Sequence, residues 1–418
     1  MDRASTLLPP VRGRQWARAI VHLHSPWSHD ACDGNGLPDG KPNEPCLASL
    51  RAALCDVGID YAFLTDHPDY AAWQSYDDLF MQREDDERVA GVNTIFCEGG
   101  KTFWSPGVED ELMPVGLDRH VAGTSEESHH VYNEYTDESV QAELNAGAKV
   151  FVAHTEQRKI EDLTRLQDAG LTGIEVFNLH AMFAPNIREE HLGLSAFGWL
   201  EDAYPFINPN GTGEPDLLFL AVLQEQPQST GAWDALLARG PAVGIGGTDA
   251  HENSLPMLLR DGERGDSYRR SMSWFANYLL VDDLTPDAGE KALAEGRLWV
   301  IFHVLGVPSD LDVHLIDAQG TIYEVGSDAP SGDLHVSCPT LQSRSPRGDL
   351  QPEVQVTVYR DGVQWQTKCG VFPADTGHTY RVRVDITPHH LISFLGANPQ
   401  PWLRPFPWAY SNAIRVGM

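Results

Sequence analysis

The chain has 418 residues, of which 42% are hydrophobic, and 30 Lys and Arg residues against 60 Asp and Glu residues give a net charge of −30 at pH 7. This length and composition suffice for a large core in one or two domains. The negative field disfavours long nucleic acids as partners. No apolar run reaches the ~20 residues that cross a bilayer, and residues 1–15 lack the apolar block of a secretory signal, so we expect a soluble, cytoplasmic protein.

Six cysteines are spread along the chain without C-x-x-C spacing, namely Cys32, Cys46, Cys55, Cys97, Cys338 and Cys369. This spacing indicates neither a zinc knuckle nor a thioredoxin-like motif. We expect most of them to be buried thiols. The alternative is a disulfide between Cys32 and Cys46, which bracket a loop rich in Gly and Pro, but the lack of a secretion signal makes it the less favoured interpretation.

The stretch 19–34, AIVHLHSPWSHDACDG, joins an apolar strand to a group of potential metal ligands. Strict alternation would place His22 and His24 on one face of the strand, roughly 6–7 Å apart, where two imidazoles can share one ion. The polar loop behind them offers further ligands, which are Ser28, His29, Asp30 and Asp33. The alternative is a pair of solvated histidines at the end of a strand.

A helix and a second short strand follow. Apolar residues from Leu47 to Val57 recur at helical spacing before Gly58, which suits a C-cap. The apolar run 61–64 then ends at Asp66-His67. Polar residues thus end two strands joined by a helix, which is where barrel enzymes hold their sites. The alternative for this pair is a helix cap and a surface imidazole.

Two glutamates compete for the next ligand position. Glu98 ends the apolar strand 94–98, and Glu109 follows a Pro-Gly turn. His120, further along, could face the same ion, whereas the His129-His130 pair lies in a polar stretch suited to solvent. We favour Glu109 together with His120.

A predicted helix over 137–146 leads into the strand 149–153, which ends at His154. Arg158, in the loop behind this histidine, could bind an anionic group in bidentate fashion. Lys159 could do the same, although a capping or solvent role suits it equally well.

The strand that begins at Gly173 carries three polar residues, Glu175, Asn178 and His180. Functional and structural roles are equally favoured for these three. The segment 182–215 is rich in Pro, Asn and Gly, and we expect an irregular lid or rim insertion that shapes specificity.

A helix around 233–239 precedes the Gly-rich strand 242–248, whose end carries Asp249 and His251. An Asp and a His two residues apart at such a strand end suit metal ligation better than a packing role.

The first domain is expected to end near residue 305, after a strand over 275–281 and a helix over 288–295. Beyond it the hydrophobic pattern becomes strictly alternating, as in 354–358 and 380–386, with a hairpin signal at Asp361-Gly362. We therefore predict an Ig-like β-sandwich over residues 306–418.

Together the strand ends form an ordered set of motifs, which are HLHS at His22 and His24, TDH at Asp66 and His67, SPGVED at Glu109, VFVAHT at His154 and GGTDAH at Asp249 and His251. The set resembles the polymerase and histidinol phosphatase (PHP) family of metal-dependent phosphoesterases over about residues 18–305. The C-terminal ending WAYSNAIRV after a predicted sandwich resembles the carbaryl-hydrolase-type branch of that family.

This resemblance implies an α/β fold, with a distorted (β/α)7 TIM-like barrel over residues 1–305 that holds two or three divalent ions, Mn, Fe or Zn, and with Glu109 bridging a pair of them. His29 and Asp30 both stand where the family has a ligand, and we choose Asp30. The family's His-Pro after the fifth ligand is replaced by His154-Thr155, which leaves the anion-binding groups open. The expected ligands are His22, His24, Asp30, His67, Glu109, His120, His154, Asp249 and His251.

The activity implied by the resemblance is hydrolysis of a small phosphoester by a metal-activated hydroxide. Asp249 or Asp66 would orient the water or accept its proton, and Arg158 or His180 would stabilise the leaving group. One alternative is hydrolysis of a carbamate, ester or amide by the same centre. Another is a ligand-binding protein without catalysis. The expected partner is a small-molecule substrate, and the oligomeric state is open.

Overall fold

A computed structural model describes residues 8–89, 91–342 and 350–418. Residues 1–7 lie outside these ranges. They belong to the segment 1–15, from which the sequence predicts that there is no secretory signal. The chain is a mixed α/β protein built around one large sheet. The helices are α1 (Ala31–Gly34), α2 (Glu44–Val57), α3 (Pro68–Ala71), α4 (Ser125–Tyr132), α5 (Asp137–Asn145), α6 (Ile160–Asp168), α7 (Pro185–Glu190), α8 (Trp199–Ile207), α9 (Pro227–Leu237), α10 (Tyr268–Met272) and α11 (Pro286–Ala294).

The strands fall into an N-terminal and a C-terminal set. The first set is β1 (Gln15–Leu23), β2 (Tyr61–Phe63), β3 (Glu87–Val89), β4 (Val92–Cys97), β5 (Gly100–Ser105), β6 (Leu112–Val115), β7 (Lys149–Val152), β8 (Gly173–Asn178), β9 (Val243–Ala250), β10 (Ala276–Val281) and β11 (Leu298–Ile301). The second set is β12 (Pro308–Ser309), β13 (Val313–Asp317), β14 (Ile322–Glu324), β15 (Asp328–Ala329), β16 (Gly332–Val336), β17 (Thr340–Leu341), β18 (Glu353–Arg360), β19 (Val363–Gln366), β20 (Gly370–Ala374), β21 (His378–Thr387), β22 (Phe406–Ser411) and β23 (Ile414–Val416).

Seven of the N-terminal strands pair in a ring that one isolated bridge completes. β1 pairs in parallel with β2 and β9, β2 with β5, and β8 with β7 and β9. β6 runs antiparallel to β7, and an isolated bridge between Gly107 and Val115 joins the segment after β5 to β6. The carboxyl ends of the parallel strands therefore meet at one rim of the ring.

The same sheet continues into the C-terminal part of the chain. β1 pairs with β10, β10 with β11, β11 with β22, β22 with β21, and β21 with β18. A separate four-stranded sheet has the order β14-β13-β16-β20. The predicted boundary near residue 305 thus falls between hydrogen-bonded strands of one sheet. The division into domains over 1–305 and 306–418 stays a prediction, as does the sandwich.

Two of the predicted helices have identifiable capping interactions. The side chain of Asn43 accepts a hydrogen bond from the backbone N–H of Cys46 at the start of α2, and Gly58 ends that helix with a φ of 74°. The left-handed conformation at Gly58 costs a glycine little. The side chain of Thr136 caps α5 by accepting from the backbone N–H of Ser139. The sequence placed both helices to within a few residues.

The expectation of an irregular segment over 182–215 is wrong in part, because the segment contains α7 and α8. Pro185 occupies the first position of α7, where its missing N–H costs no hydrogen bond. Ala203 and Phe206 anchor α8 in the core. The Pro and Asn content that predicted irregularity is therefore partly accommodated within helices, since Pro185 starts α7 and Pro205 lies inside α8.

The expectation of buried thiols is also wrong. Disulfides join Cys32 to Cys46, Cys55 to Cys97, and Cys338 to Cys369. The first of these is the pairing that the sequence left as an alternative. The other two join residues 42 and 31 positions apart, a distance over which spacing carries no information about pairing. Among the described residues, no helix is long and apolar enough to cross a bilayer.

Candidate metal centre

Eight of the nine predicted ligands gather at the rim where the parallel strands end. β1 and β2 are followed by His24 and His67, β7 by His154, and β9 by His251. The imidazole rings of His22 and His24 lie 5.2 Å apart. Between them the pairing of β1 with β9 shifts register, from Val21 with Gly247 to Leu23 with Ala250, so the strict alternation expected from the sequence is interrupted there.

Three residues at this rim have a backbone conformation that is unusual for side chains larger than glycine. The φ angles are 68° at His22, 51° at His154 and 48° at Asp249. Such conformations cost about 1–3 kcal/mol each and concentrate at functional sites. The packing around the rim therefore holds these side chains against a local backbone preference.

A first cluster consists of His24, Asp30, His67 and His251, whose potential ligand atoms all lie within 4.8 Å of one another. Oδ2 of Asp30 is 3.1 Å from Nε2 of His251 and 3.6 Å from Nε2 of His67. The rings of His24 and His251 stack with their centroids 3.8 Å apart. Three imidazoles and one carboxylate are a donor set that suits a divalent transition metal.

A second cluster consists of His22, His154 and Asp249. Nε2 of His22 is 3.3 Å from Oδ1 of Asp249, and Nε2 of His154 is 3.5 Å from Oδ2. Further groupings connect the two clusters, because Glu109 lies with His22 and His24, and His180 lies with Asp249 and His251. Glu109 and Asp249 are thus carboxylates within reach of more than one position for an ion.

The other nitrogen of each of four imidazoles is fixed by a partner behind the site. Nδ1 of His22 lies 2.6 Å from Oε1 of Glu175, and Nδ1 of His24 lies 2.9 Å from the Ser28 hydroxyl. Nδ1 of His67 and of His251 face the backbone carbonyls of Glu109 and Asp249, at 2.9 and 2.8 Å. This support turns the four Nε2 atoms toward the clusters and is typical of metal-bound histidines.

Three buried polar atoms at the centre fit a metal ion. Nε2 of His22, Nε2 of His24 and Oε2 of Glu109 have no hydrogen-bond partner among the residues that the structure describes. The three residues are 0%, 0% and 2% exposed. Buried polar groups are rarely left without a partner, since doing so costs about 1–3 kcal/mol each. Their donors are those that Zn, Mn and Fe take, so the residues present fit the expected ions.

The charges of the site are set by competition between burial and neighbouring groups. Burial alone would raise the pKa of Asp249, but His22 and His251 hold it well below its usual range. Burial and the nearby His251 lower the pKa of His24, so this ring is neutral and ready to bind a metal. Burial would lower the pKa of His67, but Asp30 and Glu109 raise it to about 10. Metal binding there would therefore release a proton.

The sequence left two pairs of alternative ligands, and the structure places the members of each pair differently. Asp30 reaches the first cluster, while His29 turns outward and its Nδ1 lies 3.5 Å from Oδ2 of Asp69. Glu109 is buried between the clusters, while Glu98 is exposed beyond the end of β4. Asp30 and Glu109 thus lie at the clusters, and their role as ligands stays a prediction.

His120 is not brought to the centre. Its Nε2 lies 3.0 Å from the carbonyl oxygen of Gln74, and its Nδ1 lies 3.3 Å from the Tyr132 hydroxyl. It belongs to none of the candidate clusters found among the described residues. The loop between β6 and α4 packs this ring against α4, a direction that spacing along the sequence does not reveal.

The predicted catalytic residues are only partly at the centre. Asp249 belongs to the second cluster, and Nδ1 of His180 lies 3.6 Å from its Oδ2. Asp66 instead accepts hydrogen bonds from the backbone N–H and hydroxyl of Ser25, at 2.6 and 2.7 Å. Arg158 pairs with Glu111 and lies over the ring of Tyr135. Through these contacts Asp66 and Arg158 hold neighbouring loops in place.

Glu175, which the sequence leaves equally open to a functional or a structural role, supports the site from behind. Besides facing His22, it accepts from the backbone N–H of His154 through Oε2 at 2.9 Å. A side chain on Gly247 would overlap its carboxyl group, so the glycine of β9 makes room for it. A buried polar residue in an apolar strand was the available signal, but it did not distinguish this role from a structural one.

The comparisons with known proteins give distant likenesses. No protein-family model matches the sequence, and no curated protein matches it significantly. A two-domain protein from Bacteroides vulgatus, which contains a predicted PHP-like metal-dependent phosphoesterase, is 11% identical, with 99% of each chain covered and a TM-score of 0.40. PsfC from Pseudomonas syringae is 13% identical, with 66% of this chain and 87% of its own covered and a TM-score of 0.37. Function must therefore be inferred from the residues of the site.

Proposed function

We propose that the protein is a metal-dependent hydrolase that acts on a small phosphoester. The observation that carries this proposal is the convergence of unpartnered, buried ligand atoms from His22, His24 and Glu109 on the centre between the two clusters. Leaving these atoms without partners would cost stability, whereas divalent ions would satisfy all three at once.

Divalent ions held there would supply a hydroxide at neutral pH and neutralise charge on the attacked group. The first cluster and the second cluster would each hold an ion, with Glu109 and Asp249 between them. His180 is half-exposed on the solvent side of Asp249, where it can hydrogen-bond to a leaving group. Asp66 is engaged by Ser25, so Asp249 is the better candidate for orienting the water.

We infer that the chain is a PHP-type enzyme of the carbaryl-hydrolase-type branch. The ordered motifs and the C-terminal ending support this assignment. It carries with it a distorted (β/α)7 barrel, an Ig-like sandwich and two or three ions of Mn, Fe or Zn. The substrate would be a free small molecule.

A second candidate is a carbamate or ester hydrolase with the same centre. The observation that favours it is the pairing of Arg158, the cation expected to bind an anionic group, with Glu111. A guanidinium already neutralised by a carboxylate offers less to a phosphate dianion than a free one. A neutral carbonyl substrate needs no such cation.

The disulfides bear on the cellular compartment of the protein. The cytoplasmic location expected from the sequence is untested, and three disulfides are more typical of proteins in oxidising compartments. We therefore favour an oxidising compartment.

The experiment is to measure metal content and turnover together. The purified protein is stripped with a chelator, and Mn, Fe or Zn is restored singly. Hydrolysis is then followed on chromogenic phosphomonoester, phosphodiester, carboxylester and carbamate substrates. Phosphoester turnover that depends on metal supports the proposal, and turnover confined to the carbonyl substrates supports the second candidate.

His154→Ala and His120→Ala form a matched pair for this assay, since one imidazole lies in the second cluster and the other outside both. We expect His154→Ala to lose bound metal and about 100-fold or more in turnover, and His120→Ala to match the wild type. If the wild-type protein holds no metal and hydrolyses none of the substrates, the hydrolase proposal is wrong. The remaining hypothesis is then a ligand-binding protein without catalysis.

A further inference from the structure

A buried tyrosine lies directly beneath the first cluster. Tyr268 is the first residue of α10 and is 0% exposed. Its hydroxyl oxygen is 2.9 Å from the carbonyl oxygen of His24 and 3.2 Å from that of His251. One hydroxyl proton is thus shared between the backbones of two predicted ligands. Burial raises the pKa of this hydroxyl well above its usual range, so it stays a donor at neutral pH.

These two carbonyls are coupled to the position of the ligand rings. The imidazoles of His24 and His251 stack 3.8 Å apart, and both belong to the first cluster. The backbone N–H of His24 donates to Ala250, the residue before His251, at 3.1 Å. The Tyr268 hydroxyl therefore adds a second link between the end of β1 and the end of β9, and it holds the two strand ends at a fixed separation.

Tyr268 is itself held firmly. Its backbone N–H donates to Oε1 of Glu252 at 3.1 Å, and the Ser49 hydroxyl donates to the same oxygen at 2.9 Å. The Tyr268 hydroxyl also lies 3.8 Å from Sγ of Cys46, whose disulfide to Cys32 closes the loop that follows Asp30. The tyrosine is therefore fixed from α2 as well as from α10.

We propose that Tyr268 is a positioning residue, which holds His24 and His251 at the separation that the first cluster needs to bind its ion. The proposal rests on the proposed metal centre. It concerns the affinity of the first cluster, since Tyr268 makes no contact with the side chains of the second cluster among the contacts of the described residues.

The test is the substitution Tyr268→Phe, which removes only the hydroxyl. Tyr61→Phe is the matched control, because Tyr61 is also buried and donates to a backbone carbonyl, that of Thr285, at 2.7 Å. Zn²⁺ binding is measured by competition with a chromophoric chelator, and the number of ions is counted by elemental analysis. We expect one class of Zn²⁺ site in Tyr268→Phe to weaken by about 10–100-fold, the usual effect of losing support behind a ligand.

In the same assay the remaining Zn²⁺ sites of Tyr268→Phe, and all sites of Tyr61→Phe, should match the wild type. Zn²⁺ affinities in Tyr268→Phe that match the wild type at every site would overturn the role of Tyr268. A loss of Zn²⁺ affinity as large in Tyr61→Phe as in Tyr268→Phe would overturn it as well. Failure of the wild type to bind Zn²⁺, Mn²⁺ or Fe²⁺ would instead overturn the proposed function, so the two failures are distinguishable.

Ser49→Ala keeps the test decisive if Tyr268→Phe does not fold. This substitution frees one side of Glu252 and loosens Tyr268 without altering the core. A few-fold weakening of the same Zn²⁺ site is expected, and unchanged affinity would count against the proposal.

Discussion

Glu175 and Glu143 are both buried, at 1% and 0% exposure, yet their surroundings give them opposite roles. The carboxyl oxygens of Glu175 accept hydrogen bonds from the backbone N–H of His154 and the side-chain amide of Asn178, each at 2.9 Å. Neither carboxyl oxygen of Glu143 has a partner among the described residues. Burial therefore raises the pKa of Glu143 well above its usual range, and the group stays protonated when its environment is intact.

Glu143 should make the protein less stable as the pH rises. Below the usual pKa of a glutamate the group is protonated in both the folded and the unfolded chain, so it contributes nothing. Above that value the unfolded chain loses the proton while the folded chain keeps it, and stability falls until the raised pKa is passed. We expect Glu143→Gln, which keeps the shape without the charge, to raise the free energy of unfolding at neutral pH by about 1–3 kcal/mol.

Urea unfolding at several pH values measures this effect. The gain in the free energy of unfolding should shrink toward zero below about pH 4, where Glu143 is protonated in the unfolded chain as well as in the folded one. Glu138→Gln is the control, because Glu138 lies on the same helix but is exposed, and its effect should stay within about 0.5 kcal/mol. A gain at neutral pH that does not shrink on acidification would refute the explanation.

At the scale of elements, the sequence predicts the strand ends better than their surroundings. The ends of β1, β2, β7 and β9 could be found because an apolar run followed by His or Asp is a local pattern. The direction of a loop is not local, so the sequence predicts that His120 faces the same ion as Glu109, although the ring packs against Tyr132. The register shift at His22 and the support from Glu175 also depend on neighbouring strands, which a single sequence does not reveal.

The loop that carries Asp30 shows how a disulfide can support the site. Cys32 and Cys46 join this loop to the start of α2. The backbone N–H of Cys32 also donates to the carbonyl oxygen of His251 at 2.9 Å. Replacing both cysteines by serine should therefore reduce stability by about 2–4 kcal/mol and also weaken Zn²⁺ binding at the first cluster.

The pair Cys338 and Cys369 supplies the control for that prediction. Its disulfide lies in the C-terminal part of the chain, between residues outside both clusters. Replacing this pair by serine should lower stability without changing Zn²⁺ affinity. Equal Zn²⁺ affinities in the two double variants would show that the first disulfide has no part in presenting Asp30.

At the scale of the whole molecule, the C-terminal part completes the sheet that positions the site. Trp408 and Tyr410 of β22 are buried, and β22 pairs along β11. The side-chain amide of Asn412 both donates to and accepts from the backbone of Gly244 in β9, at 2.8 and 2.9 Å. β9 is the strand that carries Asp249. The predicted boundary at residue 305 thus separates strands that share hydrogen bonds and one core.

We therefore expect a fragment of residues 1–305 to be unable to fold by itself. Without β22 the edge of β11 and the apolar surface beneath it would be exposed, and such an edge promotes aggregation. Soluble yield, circular dichroism and Zn²⁺ binding of the fragment are the measurements, with the full chain in parallel. Co-expression of residues 306–418 should restore all three, since the missing strands would be supplied by a second chain. A soluble fragment that unfolds cooperatively and binds Zn²⁺ as the full chain does would instead show that the strands shared across residue 305 are dispensable and that the first domain is autonomous.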